Sequence, residues 1–421
     1  MKILAVSPII PHKNNIRIAY VNSVTDFLQT KTDVELFWLV FQPNKIKNNK
    51  IDNITILDIH QFPNALKLIK EIKPDIFLAN ITLDPINYSF SLASAFHKIP
   101  IVCFNHSYFS TTPYNSLNNK VSLLFSSKLP SDMEQDAKFM GRVRFYFFKY
   151  SFLVKTRLSL GINFQQIISI IKDTSNFLTG GISKLNLFGD QYLLPDKFAF
   201  KKYEYENIKN KDCIHFVGNP YWDTLSKKIR QKIKEKQISK NKKILIVTGS
   251  LYEHGYWTKT QRDNFLMTLF LVLSKNNFSF ALKIHPSSEN KLVYKELLKS
   301  LNLDIQIFQD ENLWDVAYDF DMLISYGYSQ AITEIAYSGH KLIFLDAGIQ
   351  IPEPPLLNDA IKEGNVISCQ NIETIPSIVN NFSKTTITLS KDFEKACNSI
   401  FPKSDGKSHE KIGKIILDIF S

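Results

Sequence analysis

Short apolar runs alternate with amphipathic segments along the chain, and this alternation occurs twice. Six runs of the first half have the apolar character of strands: "KILAVSPI", "VELFWLVF", "ITILDI", "DIFLANI", "IPIVCFN" and, further along, "CIHFVGNP". Helix-like segments such as "FPNALKLIKEI" lie between some of them. The second half contains six further runs, from "KILIVTGS" to "NVISC". Strands that alternate with helices across short loops form βαβ units and parallel sheets. The sequence therefore predicts two α/β halves.

The predicted boundary between the halves is a basic segment. The chain of 421 residues is long enough for two or three domains of about 150 residues each. The segment "SKKIRQKIKEKQISKNKK", near 225–243, has the composition of a solvated helix followed by a linker. We predict a Rossmann-like domain at 1–225 with a helical insertion at about 131–180, a second Rossmann-like domain at 240–390, and helices at 391–421 that pack back on the first domain.

Charge and cysteine content restrict the class of protein. The net charge of +11 suits nucleic acid, an anionic membrane or a phosphorylated substrate, but the sequence has no zinc-finger, RNP or Gly-x-x-Gly signature, so we expect no nucleic-acid partner. The four cysteines are widely separated, which predicts neither a zinc site nor a disulfide framework and fits a reducing compartment. The apolar start is short and resembles a first strand, and no long apolar run predicts a membrane span. We therefore expect a cytoplasmic protein.

One segment of the predicted insertion combines basic and aromatic residues. It is "RVRFYFFKYSFLVKTRL", Arg142 to Leu158. Two interpretations stay open: an interfacial helix that contacts anionic lipid on the inner face of the cytoplasmic membrane, and a core helix capped by arginines. Contact with lipid would serve a protein whose substrate is lipid-linked.

The loops that follow the strands of the second half carry the candidate binding residues. Parallel sheets bind ligands at the carboxyl ends of their strands, and glycines, hydroxyls and helix N-termini there suit anions. "FALKIHPSSEN" is ambiguous, because proline after His285 also fits an ordinary strand-ending turn. The expected ligand-binding residues are Gly249, Ser250, Glu253, His285, Pro286, Ser287, Ser288, Ser325, Tyr326, Gly327, Ser329, Gln330 and Glu334.

These loops, taken in order, resemble those of GT-B glycosyltransferases. The pattern is strand-Gly-Ser, strand-His-Pro, then "SYGYSQAITE" before "SGHKLIFLD", with Gly218 and Asn219 of "FVGNPYWDTL" at the end of the first half. It is most similar to the His-Pro transferases of bacterial surface carbohydrate synthesis, which include polysialyltransferase-like and Kdo-transferase-like enzymes. Teichoic-acid glycerophosphotransferases and UDP-GlcNAc 2-epimerases are related. The resemblance covers most of 213–346, covers 1–120 only as a fold pattern, and hardly covers 121–212.

The resemblance implies a fold and residue roles. The fold would be GT-B, α/β with two Rossmann-like domains facing a cleft, the second of which binds the nucleotide-sugar donor. His285 would contact the donor phosphate, Glu334 the ribose, and the serines phosphate oxygens or base edges. Two departures matter: "GSLYEHGYWTKTQRDN" lacks the His-Arg-x-x-Asn pattern of the epimerases, and "SYGYSQ" stands where teichoic-acid enzymes usually have Asp-Tyr-Ser-Ser.

A sugar transfer with inversion also needs a base that accepts the acceptor's proton. The candidates in the first half are His106, Asp84 and then His12, each in a loop after a strand, and Glu253 and His254 are further candidates in the second half. No Asp-x-Asp pair adjoins a glycine-rich loop, so we expect neither a catalytic metal nor a cofactor.

We therefore expect a glycosyltransferase that moves a sugar from a nucleotide donor to a cell-surface glycan or a lipid-linked acceptor, as in capsule or lipopolysaccharide synthesis. The first donor candidate is a CMP-activated acidic sugar of the sialic-acid or Kdo type, and UDP and CDP donors stay open. The alternatives are a UDP-sugar 2-epimerase, a CDP-polyol phosphotransferase, and a non-catalytic subunit that binds a nucleotide sugar.

Overall fold

The structure is a computed structural model. It describes residues 1–7, 16–41, 46–80, 84–105, 133–179, 188–195, 208, 211–223, 243–253, 256–286, 289–327, 332, 335, 340–348, 357–382, 390–392, 395 and 406–420. The chain forms two compact units. Unit 1 comprises Met1–Asp223 and Lys403–Ser421, and unit 2 comprises Thr224–Pro402.

Among the residues that the structure describes, each unit contains one sheet, and its strands are mostly apolar. The described strands of the unit 1 sheet are eight, β1 (Lys2–Ser7), β2 (Glu35–Val40), β3 (Asn49–Ile51), β4 (Ile54–Asp58), β5 (Ile76–Asn80), β6 (Ile101–Phe104), β7 (Gln191–Leu194) and β8 (Ile214–Phe216). Those of the unit 2 sheet are six, β9 (Lys243–Val247), β10 (Ser279–Lys283), β11 (Ile307–Phe308), β12 (Met322–Tyr326), β13 (Leu342–Leu345) and β14 (Val366–Cys369).

Helices connect the strands and cover the sheets. In chain order they are α1 (Ile16–Gln29), α2 (Ala65–Ile72), α3 (Pro85–Phe96), α4 (Met133–Ser159), α5 (Phe164–Thr179), α6 (Lys259–Lys275), α7 (Lys291–Ser300), α8 (Leu313–Ala317), α9 (Leu357–Lys362), α10 (Ile375–Phe382) and α11 (Ser408–Asp418). Short 3-10 turns occur at Ile59–Gln61, Lys211–Cys213 and Ile372–Thr374.

The two sheets have the same type of topology. In unit 1 the strand order is β3-β4-β2-β1-β5-β6-β7-β8, and only β3 runs antiparallel to its neighbour. In unit 2 the order is β11-β10-β9-β12-β13-β14, and every pair is parallel. In both, the first strand lies in the middle and the order reverses beside it, which is the doubly wound Rossmann arrangement. The predicted α/β fold class is confirmed.

The last helix belongs to unit 1. Ile412 and Ile416 of α11 are buried in the same core as Val21 and Val24 of α1. The carboxylate of Asp223 accepts a hydrogen bond of 2.8 Å from the backbone N–H of Ser408, the first residue of α11. The chain therefore leaves unit 1 after Asp223 and returns to it at its end.

Helices α4 and α5 form a layer of unit 1 in the region of the predicted insertion. Phe152 and Leu153 of α4 are buried, and the Thr156 hydroxyl accepts a hydrogen bond of 3.2 Å from the backbone of Ala65 at the start of α2. Buried Arg157 pairs with buried Asp173 of α5. This side of Arg142–Leu158 is thus a core face, whereas Tyr146 and Phe147 of the same segment are exposed, and its contact with a membrane stays a prediction. Among the described residues, no helix combines the length and apolarity needed to cross a bilayer.

Candidate functional site in unit 2

The carboxyl edge of the unit 2 sheet is where a ligand is expected. The central strand β9 has β10 on one side and β12 on the other, and the chain order reverses there. Doubly wound sheets bind ligands at this reversal, because loops that leave in opposite directions open a crevice between them. The loops after β9, β10 and β12 carry Gly249, His285 and Gly327. Three of the predicted strand-end loops therefore meet at one edge.

Two glycines let the loops after β9 and β12 pack closely. A Cβ atom on Gly249 would lie 2.1 Å from the carbonyl oxygen of Tyr326, so a side chain there would displace backbone. Gly327 has a φ of +72°, and a Cβ atom on it would lie 2.8 Å from a methyl carbon of Leu251. Glycine tolerates both situations. Ser250 also has a positive φ, of 50°, and is buried.

Ser325 and Tyr326 contribute mainly to packing. Ser325 lies within β12 and not at the start of a helix, and its hydroxyl donates a hydrogen bond of 3.1 Å to the carbonyl of Val247. The Tyr326 ring is buried and stacks on Trp257 with ring centroids 5.5 Å apart. These contacts join β12 to β9 and to the loop before α6, so the polar atoms of Ser325 serve the sheet itself. Donor binding by either residue stays a prediction.

The loop after β10 is held by a buried carboxylate. Glu289 is only 6% exposed, and it accepts hydrogen bonds from the backbone N–H of His285 and from the hydroxyls of Thr248 and Tyr294. Because these donors come from β10's end, from the residue after β9 and from α7, one side chain connects three elements. The His285 side chain, by contrast, is exposed. Glu289 thus fixes the backbone of His285 and leaves the imidazole at the surface.

A buried lysine and a glutamine fix the rest of this loop. Lys283 is 5% exposed, and its Nζ donates to the carbonyls of Ile284 and Gln309, at 2.8 and 2.9 Å. The Gln309 amide in turn donates to the carbonyls of Glu289 and Pro286, at 2.9 and 3.4 Å. The backbone carbonyls of Ile284, Pro286 and Glu289 are thus paired within the protein. A histidine on such a rigid turn is well suited to meet a ligand at a fixed position.

Burial shifts the pKa values of both charged groups under the loop. It raises the pKa of Glu289, against the opposing effect of the His285 N–H, the two hydroxyls and the nearby Lys283 ammonium. It lowers the pKa of Lys283, against the opposing effect of Glu311, Glu289 and Asp310. Desolvation disfavours the charged form in both cases. Burial of these two side chains therefore has an electrostatic cost, which their hydrogen bonds and neighbouring charges offset in part.

A pH titration should reveal the cost of burying Glu289. The folded pKa lies above the unfolded value of about 4.3, so this group contributes most stability below that pH, and the contribution falls as the pH rises through the folded pKa. Glutamine does not titrate. We therefore expect the unfolding free energy of the wild type, minus that of Glu289→Gln, to decrease as the pH rises above about 4.3, in urea titrations followed by tryptophan fluorescence.

Glu296→Gln is the matched control, because Glu296 lies exposed on α7. At pH 7 this variant should unfold within about 0.5 kcal/mol of the wild type, as is usual for a surface substitution. A Glu289 difference that is constant, or that grows with pH, would contradict the burial argument.

The other predicted site residues have separate positions. Gly218 has a φ of +80°, and Asn219 is buried with its side-chain oxygen accepting a hydrogen bond of 3.0 Å from the Tyr221 N–H; both belong to unit 1. Glu253 lies 3.8 Å from the guanidinium of buried Arg262 in unit 2. The remaining candidates lie outside the described residues, and their roles stay predictions: His12, His106, His254, Ser287, Ser288, Ser329, Gln330 and Glu334.

Asp84 has a structural function in α3. It is the N-cap residue, and its carboxylate accepts hydrogen bonds from the backbone of Ile86 and Asn87, at 2.8 and 3.0 Å. Pro85 occupies the first helical position, which is typical of a helix start. This capping accounts for the aspartate without a catalytic role, although none of these contacts tests its role as a base.

Sequence reasoning missed the supporting residues of the loop. Lys283, Glu289 and Gln309 were not among the predicted site residues, yet they hold its backbone. Lys283 carries a weak signal, since a lysine at the end of an otherwise apolar strand must find buried acceptors. Glu289 and Gln309 lie in polar surroundings in the sequence and carry none.

Comparison with solved structures identifies the fold. No protein-family model matches the chain, and no curated protein matches its sequence. The UDP-GlcNAc 2-epimerase of Methanocaldococcus jannaschii, in complex with UDP-GlcNAc and UDP, aligns with a TM-score of 0.53 and 13% identity, over 99% of this chain and 99% of that one. A Listeria monocytogenes protein assigned as a UDP-N-acetylglucosamine 2-epimerase aligns with a TM-score of 0.51 and 13% identity, over 100% and 96% of the chains.

A third structure, S. aureus MnaA with UDP, aligns with a TM-score of 0.50 and 13% identity, over 98% and 94% of the chains. The chain has the GT-B type of fold. The resemblance inferred from the strand-end loops is therefore confirmed for the fold. At such low identity the structures show the fold alone.

Proposed function

We propose that the protein is a GT-B glycosyltransferase that uses a nucleotide-sugar donor bound by unit 2. The observation that carries the proposal is the edge where β9, β10 and β12 end, with His285 exposed on a turn fixed by Glu289, Lys283 and Gln309. Burying two charged side chains, Glu289 and Lys283, beneath one surface turn has a cost in free energy, which suggests that the turn has a function. Its place at the strand-order reversal suits a nucleotide phosphate.

His285 would act on the leaving group. An acceptor oxygen attacks the anomeric carbon, the bond from that carbon to the donor phosphate breaks, and the phosphate leaves with the electron pair. An imidazole N–H placed beside a phosphate oxygen forms a charge-assisted hydrogen bond that strengthens as negative charge develops. The acceptor's proton passes to a base, as inversion by a single displacement requires.

The first donor candidate stays a CMP-activated acidic sugar, because the His-Pro and serine pattern is most similar to enzymes of that type. The main alternative is a UDP-sugar 2-epimerase. The M. jannaschii structure that aligns over nearly the whole chain is such an enzyme, with UDP-GlcNAc and UDP bound. The loop "GSLYEHGYWTKTQRDN" lacks the His-Arg-x-x-Asn pattern expected of the epimerases, and this favours the transferase.

Thermal unfolding with CMP, UDP, CDP and GDP tests the proposal. A nucleotide that binds only the folded state raises the unfolding free energy by about 2.7 kcal/mol at a hundredfold excess over its Kd. We expect CMP to raise the Tm most. Stabilisation by UDP alone, together with conversion of UDP-GlcNAc into its C2 epimer by NMR, would establish the epimerase instead. No shift with any of the four would reject a nucleotide-sugar enzyme.

Unit 1 supports a second element of the proposal, contact with an anionic membrane that carries the acceptor. Helix α5 and the turn before it expose apolar side chains instead of burying them. Four isoleucines and one phenylalanine are between 46% and 84% exposed: Ile162 in the turn, and Phe164, Ile167, Ile168 and Ile171 in α5. Exposed Lys172 lies on the same helix, and Arg144 is exposed on neighbouring α4. Apolar residues bordered by cations are typical of a helix that lies in an anionic bilayer surface.

Vesicle sedimentation tests this membrane contact. Ile171→Asp removes an isoleucine that is 65% exposed, so it should leave folding unchanged and lower binding to vesicles of phosphatidylcholine and phosphatidylglycerol about tenfold. Leu292→Asp is the matched control, because Leu292 is 63% exposed on α7 of unit 2. High salt should weaken wild-type binding. Equal binding by both variants, or no preference for anionic over neutral vesicles, would count against the contact.

A further inference from the structure

A cavity in unit 1 combines charged, hydrogen-bonding and aromatic groups that the proposed function does not use. It has a volume of about 460 Å³ and lies where β4 ends, between the turn Ile59–Gln61 and helix α4. Its walls include His60 and Phe62 on one side, and Phe148, Ser151 and Lys155 on the other. The volume is within the range of sites for small molecules.

His60 is held in one orientation by a buried carboxylate. Its Nδ1 lies 2.7 Å from Oδ1 of Asp58, which is 2% exposed and also accepts hydrogen bonds of 3.0 Å from the backbone N–H groups of His60 and Ile46. Since a carboxylate accepts, Nδ1 carries a hydrogen, and in the neutral ring this tautomer leaves the lone pair on Nε2. Nε2 makes no hydrogen bond to any residue that the structure describes.

Packing fixes the ring as well. The imidazole stacks on Phe148 with ring centroids 4.2 Å apart and an angle of 25° between the planes. The side chain is still 16% exposed. The ring is thus held by Phe148 on one face and by Asp58 at Nδ1, and Nε2 stays available to a ligand. Such an acceptor suits the hydroxyl of a ligand in the cavity.

Lys155 gives the cavity a positive charge. It is exposed on α4, and within the described part of the chain no carboxylate pairs with its ammonium. Neighbouring Ser151 donates its hydroxyl hydrogen to the carbonyl of Phe148, at 2.9 Å, and keeps lone pairs for a ligand donor. Aromatic rings, a hydroxyl acceptor and one ammonium together fit a sugar ring with a negatively charged substituent.

We propose that this cavity binds an anionic saccharide, with Lys155 on the phosphate or carboxylate and Nε2 of His60 accepting from a sugar hydroxyl. Asp58 is the positioning residue, because it acts on the ligand only through His60. Assigning the saccharide as the acceptor of the transfer rests on the proposed function; the binding site itself does not. A phosphorylated sugar and a carboxylated sugar share the required chemistry.

Calorimetric titration of the full chain tests the site with three probes: glucose 1-phosphate, N-acetylneuraminic acid and glucose. We expect the anionic sugars to bind at least about tenfold more tightly than glucose, since a hydrogen bond to a charged group is worth about 1.5–3 kcal/mol. Lys155→Gln should remove that advantage and leave glucose unchanged. Which anionic sugar binds more tightly distinguishes a phosphate from a carboxylate ligand.

Matched variants keep the result interpretable. His60→Gln should weaken the binding of all three sugars severalfold. Lys70→Gln, at an exposed lysine of α2, and His97→Gln, at the end of α3, should leave binding unchanged. In the protein with ¹³C-labelled histidines, the resonance lost in His60→Gln should shift when sugar is added to the wild type. Sugar affinities that do not depend on Lys155 and His60 would overturn the site, and so would an unshifted His60 resonance. Failure of nucleotide binding in unit 2 would reject the proposed transferase but not this site.

Discussion

His285→Ala should lower turnover about hundredfold, measured with the nucleotide sugar whose nucleotide stabilises the protein. Loss of one donor that acts on developing negative charge costs about 100- to 1,000-fold in rate. The Tm should change little, because the His285 side chain is exposed and the contacts that hold the turn come from its backbone N–H and from Glu289, Lys283 and Gln309. The loss should fall on kcat and on kcat/KM together, as expected of an interaction made in the transition state.

Two further variants separate this role from a structural one. His285→Gln keeps a donor of similar reach and should recover part of the rate. His97→Ala, at another exposed histidine, should have no effect. Near-normal turnover by His285→Ala, or inactivity explained by a large fall in Tm, would show that His285 is an ordinary turn residue and does not act on the donor.

The fold was predictable because its strands are continuous apolar runs. The six runs of the second half correspond to β9–β14, and six runs of the first half correspond to β1, β2, β4, β5, β6 and β8. Strands β3 and β7 were missed for physical reasons. All three residues of β3 are exposed, so an edge strand of this kind has no apolar pattern, and β7 is a run of four residues between polar neighbours.

The orientation of α5 could not be predicted. Its sequence has an apolar pattern at helical spacing, which normally indicates the buried face. In the structure Ile167 and Ile171 are exposed, while Asp173 and Asn176 are buried. Arg157 of another helix pairs with Asp173 on the buried side of α5, and no local pattern in α5 contains that information.

The candidate sites show the same limit. A histidine next to a proline after an apolar strand could be singled out, because both residue types have strong conformational or chemical preferences. The burial of Glu289 could not, since it depends on hydroxyls of Thr248 and Tyr294 that lie 41 and five residues away. Asp58 and His60 are only two residues apart in the sequence, yet the cavity forms only because α4 packs beside them.

Arg157→Ala should lower the unfolding free energy of unit 1 by about 3–5 kcal/mol, the usual cost of removing one partner of a buried ion pair. Arg157 and Asp173 are 8% and 5% exposed, and Nε of the arginine lies 2.9 Å from the carboxylate. The Tyr88 hydroxyl joins the pair from α3, at 3.3 Å from the guanidinium and 3.4 Å from Asp173. Without Arg157, a carboxylate whose pKa is already raised by burial stays in the core among three helices.

The double variant Arg157→Met with Asp173→Leu is the decisive comparison. Apolar residues of similar volume avoid the desolvation cost, so the double variant should unfold within about 1 kcal/mol of the wild type in urea, far above the single one. Arg144→Ala, at an exposed arginine of α4, should be neutral. If Arg157→Ala and the double variant lose the same unfolding free energy, the cost of an unpaired buried carboxylate does not explain the loss, and the ion pair is not what joins α4 to α5. If the double variant is stable but loses vesicle binding, the ion pair serves to fix α5 with its isoleucines outward, and its electrostatic cost has a functional reason.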